Sequence, residues 1–251
     1  MHRVIDDILE STRRRVAHLH TADMRREIDH RDIIPLIQRQ KDKNKIPVLA
    51  EVKPGSPTTK KREITPKDAS EIALEMEAGG AVAISVLTEP DFFYGGMENL
   101  YAVRKSVKIP VLRKDFIIDE KQIYETESDL ILLISGILGD NLKKFVDLSL
   151  VYGLEPLVEV HNEKELMDAL NTETRIIGIN NRNLNTLAID LSTTEHLIPL
   201  IPDDRIIISE SGIRDAVDAA RLINAGADAV LVGTAIMDDP FDRTKRLVDA
   251  L

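Results

Sequence analysis

Eight short runs rich in Val, Ile and Leu recur about every 26 residues from Pro47 onward, each separated from the next by an amphipathic stretch. They read PVLAEVK at 47, AVAISVLT at 81, IPVLRKDF at 109, DLILLIS at 129, LEPLVEV at 154, RIIGIN at 175, DRIIISES at 204 and DAVLVGT at 228. A repeat of that length holds one strand, one helix and two short loops. The intervening segments TPKDASEIALEMEAGG, GDNLKKFVDLSLVYG, NEKELMDALNT and DAVDAARLINAGA carry helical spacing and often open on Asp, Asn or Thr and close on Gly. Eight such units predict an α/β fold, a closed (β/α)8 TIM barrel. An open doubly wound sheet is the alternative, but no glycine-rich dinucleotide turn follows the first strand. The unit between Phe116 and Asp129 is short, and its helix around DEKQIYETE is expected to make about two turns.

Before the first strand, Val4, Ile8, Val16 and Leu19, then Ile28, Ile33, Leu36 and Ile37, follow helical periodicity with a break near Thr21 to Asp23. The expected organisation is one domain over residues 1–251: an N-terminal helical extension over 1–45 that packs on the barrel mouth, and the barrel over 46–251.

The chain has 33 Lys plus Arg against 43 Asp plus Glu, a net charge of −10, so a nucleic-acid partner is not expected. Aromatics are only 4%, which leaves an aliphatic core suited to strands buried on both faces. Zero Cys excludes disulfides, thiolate metal sites and cysteine nucleophiles. The six His are scattered, with His2, His18, His20 and His30 in the extension and no HxH or HExxH pair, so no metal is expected. The longest uncharged apolar run, LILLISGILG, is too short to span a bilayer, and the N-terminus has no signal-peptide core. A cytoplasmic, monomeric protein without a membrane partner is the expectation.

Barrels carry their chemistry at the C-terminal ends of the strands. Here those ends hold Glu51 and Lys53, two apart and so on one face, then Lys114, Glu159, Asn180 and Glu210. Any one of them is explained by exposure or by a structural ion pair. Six spread over five strands, with signs interleaved, describe a cleft that keeps acids and bases poised. Ser211 and Gly212 after the seventh strand, with Gly233 and Thr234 after the eighth, occupy the positions where barrels bind phosphate on main-chain N–H groups, and AIMDD is the candidate for the short extra helix. Loop one, KPGSPTTKKREITP, is long and suits a lid; Ser56 adds a phosphate contact, and Lys60, Lys61 and Arg62 form a solvated basic rim. The RRR run at 13–15 is read as a solvated helix face.

The segments EVKPGSPT, LTEPDFFYGG, VLRKDFI, PLVEV, IGINNRNL, ISESGI and LVGTAIM, in this order and spacing, resemble the indole-3-glycerol phosphate synthase family. The resemblance implies a carbon–carbon lyase of tryptophan biosynthesis that closes 1-(2-carboxyphenylamino)-1-deoxy-D-ribulose 5-phosphate to indole-3-glycerol phosphate, releasing CO2 and water, with no cofactor. It further implies Lys114 as general acid at the ketone oxygen, Glu159 as a late base or acid, Glu51 as proton shuttle and Lys53 as second acid or carboxylate contact. Asn180 and Glu210 are orienting groups in that reading. Arg182 is the clamp for the substrate carboxylate, and Phe93, Phe116, Leu184 and Leu187 are the apolar pocket for the ring, although ordinary core packing explains Leu187 almost as well. Three departures stand out: Gly136 in SGIL, Thr234 in place of the commoner Ser, and the absence of Trp. Two other readings are a Schiff-base aldolase using Lys53 or Lys114 on a sugar phosphate, and a non-catalytic phosphometabolite-binding barrel.

Overall fold

The computed structural model describes residues 2–19, 29–57 and 61–251. The break near Thr21 to Asp23, Ile28 and Lys60 lie outside them. Each of the eight runs forms a strand: β1 (Val48–Val52), β2 (Ala83–Leu87), β3 (Val111–Lys114), β4 (Leu130–Ile134), β5 (Glu155–Val160), β6 (Ile176–Asn180), β7 (Ile206–Glu210) and β8 (Ala229–Val232). They are parallel and close in chain order, β1 pairing with β8 through Ala50 opposite Val232.

Alternation sorts the strand residues. Leu49, Leu112, Leu130, Leu157, Ile176, Ile208 and Leu231 belong to the apolar filling of the barrel, whereas Val48, Ala50 and Val52 pack with the outer helices through Ala69, Ala73 and Met76. Both faces are covered, which is why β-branched residues run almost without interruption. The connecting helices start on side-chain caps: Thr65 and Asp68 form a capping box, Asn162 accepts from Glu165 N–H, and Asp215 accepts from Val217 and Asp218 N–H. The helix after β3 is Glu120–Tyr124, five residues and shorter than the two turns expected. Its cap residue Gln122 instead stitches the loop, bonding Phe116 O and Ile118 N–H.

The N-terminal extension divides between the two ends of the barrel. Helix Arg3–Ala17 lies at the mouth: Ile5, Ile8 and Leu9 join the cluster of Phe93, Leu184 and Leu187, and His2 N–H donates to Leu184 O at 3.0 Å. Arg13 and Arg14 face solvent beside Glu10, as the RRR run predicts, but Arg15 turns inward and makes a bidentate pair with buried Asp115 at 2.9 and 3.0 Å. Helix Ile34–Lys41 is at the opposite end, which corrects the expectation that both helices pack on the mouth. Arg31, just before it, donates to Asp129 at the start of β4 and to Val107 O and Ile109 O ahead of β3, and Lys41 pairs with Asp228 ahead of β8. Ile33 and Ile37 thereby join the apolar filling where the strands begin. Among the described residues no helix is long and apolar enough to cross a membrane.

Candidate active site

One cavity opens at the C-terminal ends of the strands. Its floor is ionic. Lys114, the last residue of β3, points its ammonium at two carboxylates from across the barrel: Nζ is 2.5 Å from Glu210 Oε2 on β7 and 3.7 Å from Glu159 Oε2 on β5. Lys53 Nζ, one residue past β1, sits 3.6 Å from Glu51 Oε1. Asn180, ending β6, hydrogen-bonds Glu159 and accepts the Arg182 N–H at 2.9 Å.

Two glycines make this crowding sterically possible. A Cβ at Gly178 on β6 would overlap Glu210 Oε1 and Leu157 Cδ2, and one at Gly233 would overlap Glu51 Oε1. Gly233 was expected to let a phosphate approach; here it gives up its side chain to a carboxylate. The sequence carries no sign of this role for Gly178, since a lone glycine in a strand reads equally well as a bulge or a close backbone approach.

The electrostatics follow from burial and proximity. Burial alone would lower the Lys114 pKa, but Glu210, Glu159 and Glu51 outweigh it and hold the amine well above its ordinary range. For Glu159 burial pushes upward, yet His161 and Lys114 hold the carboxyl at about 2. Burial dominates at Glu210, and with repulsion from Glu159 and Glu51 it lifts that carboxyl to about 7 against the pull of Lys114. Neighbouring acids with pKa values driven apart are the arrangement acid–base chemistry needs.

Every residue proposed from the sequence except Glu210 lines the cavity: Glu51, Lys53, Lys114, Glu159 and Asn180; Arg182, Phe93, Phe116, Leu184 and Leu187; Ser56, Ser211, Gly212, Gly233 and Thr234. Glu210 is fully buried and acts on the cavity through Lys114. The Phe93 and Phe116 rings meet at 6.0 Å between centroids. Glu89 shapes the loop that carries Phe93, its carboxylate accepting the N–H groups of Asp91, Phe92 and Phe93. Arg182 donates to Leu187 O at 3.1 Å, and no carboxylate of the described residues pairs with it. Ser211 and Gly212 form a turn with consecutive positive φ angles of 67° and 83°. Asn181 holds that turn, donating to Ser211 O at 3.1 Å and Glu210 O at 3.0 Å.

Three expectations change. AIMDD is not a helix: Thr234 to Asp238 are successive turns, with Ile236 N–H closing on Gly233 O, so any anion there meets loop N–H groups without a helix dipole behind them. Lys61 and Arg62 are not a free rim. Arg62 donates to Met237 O and pairs with Asp238, tying loop one to the loop after β8, and Lys61 Nζ lies 4.9 Å over the Tyr94 ring. The mouth also has an aliphatic roof from Val4, Ile5 and Ile8, which the periodicity shows as an apolar helix face without saying what it covers.

Residues 2–247 match the family described as indole-3-glycerol phosphate synthase. A protein of that name from Halobacterium salinarum is 47% identical over 205 residues, covering 81% of each chain. The chain belongs to the indole-3-glycerol phosphate synthase family. A relative of the same name from Aliarcobacter butzleri is 40% identical over 252 residues, 94% of each protein. All seven segments that carry the resemblance fall inside the matched stretch. More distant structures share the barrel alone. One is (S)-3-O-geranylgeranylglyceryl phosphate synthase from Thermoplasma acidophilum in complex with sn-glycerol-1-phosphate, with TM-score 0.61, 15% identity, and coverage of 88% of this chain and 98% of that one. The N-acetylmannosamine-6-phosphate 2-epimerase from Clostridium perfringens gives a TM-score of 0.58 at 15% identity, covering 76% and 87%.

Proposed function

We propose that this cavity closes 1-(2-carboxyphenylamino)-1-deoxy-D-ribulose 5-phosphate to indole-3-glycerol phosphate, with CO2 and water leaving, and that its residues divide the work as follows. The aryl carbon that bears the carboxylate attacks the ketone carbon, forming the new carbon–carbon bond while negative charge gathers on the ketone oxygen. Lys114 gives that oxygen a proton. Loss of CO2 then returns the electron pair to the ring. In the last stage the new hydroxyl leaves as water, protonated by Lys53 with Glu51 as its relay, and Glu159 takes the proton from the adjacent carbon to complete the indole.

The remaining groups hold the substrate. Arg182 takes the aryl carboxylate in a guanidinium fork. Phe93, Phe116, Leu184 and Leu187, roofed by Ile5 and Ile8, exclude water from the ring. Asn180 orients the ribulose hydroxyls, and Glu210, buried below the cavity, orients Lys114. The phosphate lies on the Ser211–Gly212 and Gly233–Thr234 main chain, with Ser56 above it.

The observation that carries this reading is Lys114 between Glu210 and Glu159 on the cavity floor. The same observation disfavours an aldolase. An imine-forming lysine needs a neutral amine, hence a lowered pKa, and three carboxylates push Lys114 the other way. The test is the indole fluorescence that appears when purified protein meets the substrate without added metal. Lys114→Met is expected to cut the rate by about 10³-fold or more in a protein that keeps the parental circular dichroism spectrum, although loss of the cation beside buried Glu210 lowers its melting temperature. Turnover in that variant near the parental rate overturns the assignment, as does a borohydride-trapped lysine adduct in the parent.

A further inference from the structure

Behind β5, outside the catalytic cavity, a histidine touches the constellation. His161 follows Glu159 by two positions and its side chain is 6% exposed. The ring is set between two carboxylates, with Nε2 3.2 Å from Glu159 Oε1 and Nδ1 2.9 Å from Glu165 Oε2. Glu165 belongs to helix Glu163–Leu170 and is itself well held. Its Oε2 also accepts the His161 main-chain N–H at 2.9 Å, and its Oε1 accepts Asn162 Nδ2 at 2.8 Å. A carboxylate accepting several N–H bonds stays ionised, so Nδ1 facing it carries a proton. Nε2 meets Glu159 Oε1 as an ionic contact at 3.2 Å without hydrogen-bond alignment, and a carboxylate that close favours a proton there as well. An imidazole with both nitrogens protonated is a cation.

Gly136, the departure in the fourth loop, gains a role from this arrangement. A Cβ there would stand 2.7 Å from Glu165 Oε1, so a side chain at this position requires that carboxylate to shift.

We propose that His161 is a positioning residue: an imidazolium, anchored to helix Glu163–Leu170 through Glu165 and given room by Gly136, that holds Glu159 as a carboxylate turned toward Lys114. The inference rests on Glu159 acting as the base in the reaction proposed above. Burial would lower the His161 pKa, but Glu159 and Glu165 overcome it and lift the ring to about 9. The titratable and charged groups around the ring are Glu159 on β5, with Lys114 beyond it; Glu163, Lys164 and Glu165 on the following helix; and His196 on helix Ser192–Leu197, whose Nε2 lies 2.8 Å from Glu163. Removing the cation leaves Glu159 buried with less compensation, so its pKa rises. A base that must be ionised then fails at higher pH than before, and the acid limb of the rate profile moves upward.

The experiment measures kcat and KM against pH for His161→Gln and Glu165→Gln, with Glu159→Gln as the reference, and reads the His161 ring nitrogens by NMR in the parent at neutral pH. The expected results are two protonated ring nitrogens, a kcat for H161Q reduced roughly tenfold at neutral pH with KM little changed, and an acid limb raised by about one unit or more. E165Q, which leaves the ring in place, shifts the limb the same way by less. A neutral tautomer in the parent, or an acid limb in both H161Q and E165Q that coincides with the parent's, overturns the proposal. Parental turnover in E159Q instead overturns the role given to Glu159, and this inference with it; a dead E159Q beside unshifted H161Q and E165Q overturns only the inference.

Discussion

Asp129, at the start of β4, and Glu210, at the end of β7, are both fully buried carboxylates, and they are satisfied very differently. Asp129 Oδ1 accepts from Arg31 N–H and from Arg104 Nη2 at 2.9 Å, and Oδ2 accepts from Val111 N–H. Asp228, ahead of β8, likewise commits one oxygen to Lys41 and the other to Ile207 N–H. At the other end, Glu210 gives Oε2 to Lys114 while Oε1 is buried with no hydrogen-bond partner among the described residues, and Glu51 Oε2 and Ser85 Oγ share that condition. An unsatisfied buried polar atom costs about 1–3 kcal/mol. The contrast is between carboxylates: Asp129 and Asp228 use both oxygens to tie chain segments together, whereas Glu51 and Glu210 leave one oxygen unsatisfied beside the reactive groups, a condition that Glu155 Oε1 at the start of β5 shares without any such group.

The largest effect expected is at Asp129. Asp129→Ala strands the Val111 and Arg31 N–H groups and leaves Arg104 only Asp29 O as partner, which should cost about 3–5 kcal/mol in a urea melt and leave the kcat of the folded enzyme at the parental value. A variant that melts like the parent breaks the division of labour. Next comes Gly178→Ala, whose methyl enters the space of Glu210 Oε1. It is expected to lower kcat by roughly 10²-fold with a smaller change in KM, and an active, normally folded G178A would show that Glu210 has slack.

The smallest effect concerns pH. Glu210 is lifted from 4.5 to about 7 in the folded state, so its contribution favours folding below about pH 4.5 and is lost as pH rises through 7. Glu159, held at about 2, contributes in the opposite sense, present above about pH 4.5 and lost as pH falls toward 2. Glu210→Gln removes only the first slope. Relative to the parent, its melting temperature should improve by about 5–10 °C between about pH 5 and pH 8 while activity falls. An unchanged difference across that range would mean that Glu210 titrates normally.

Some of this was readable from residue order. A strand buried on both faces has to be aliphatic, so all eight announce themselves, and period-two alternation places Glu51 with Lys53 and predicts that Lys114, Glu159 and Asn180 face one opening. Other features have no local signature. Three arginines in a row do not reveal which one turns inward, because that depends on where Asp115, a hundred residues later, comes to lie. The spacing of Ile33 and Ile37 shows an apolar face but not which end of the barrel it closes. Gly178 is explained only by Glu210 on the neighbouring strand.

By itself, then, residue order determined the number of βα units, the closed parallel topology and the set of side chains brought to one rim, because each depends on periodicity along a single strand or helix. Which carboxylate meets which cation, which glycine yields space to it and which helix roofs the cavity were decided by tertiary structure. Those are matters of a few ångströms between atoms far apart in the chain, and only closure of the barrel sets such distances.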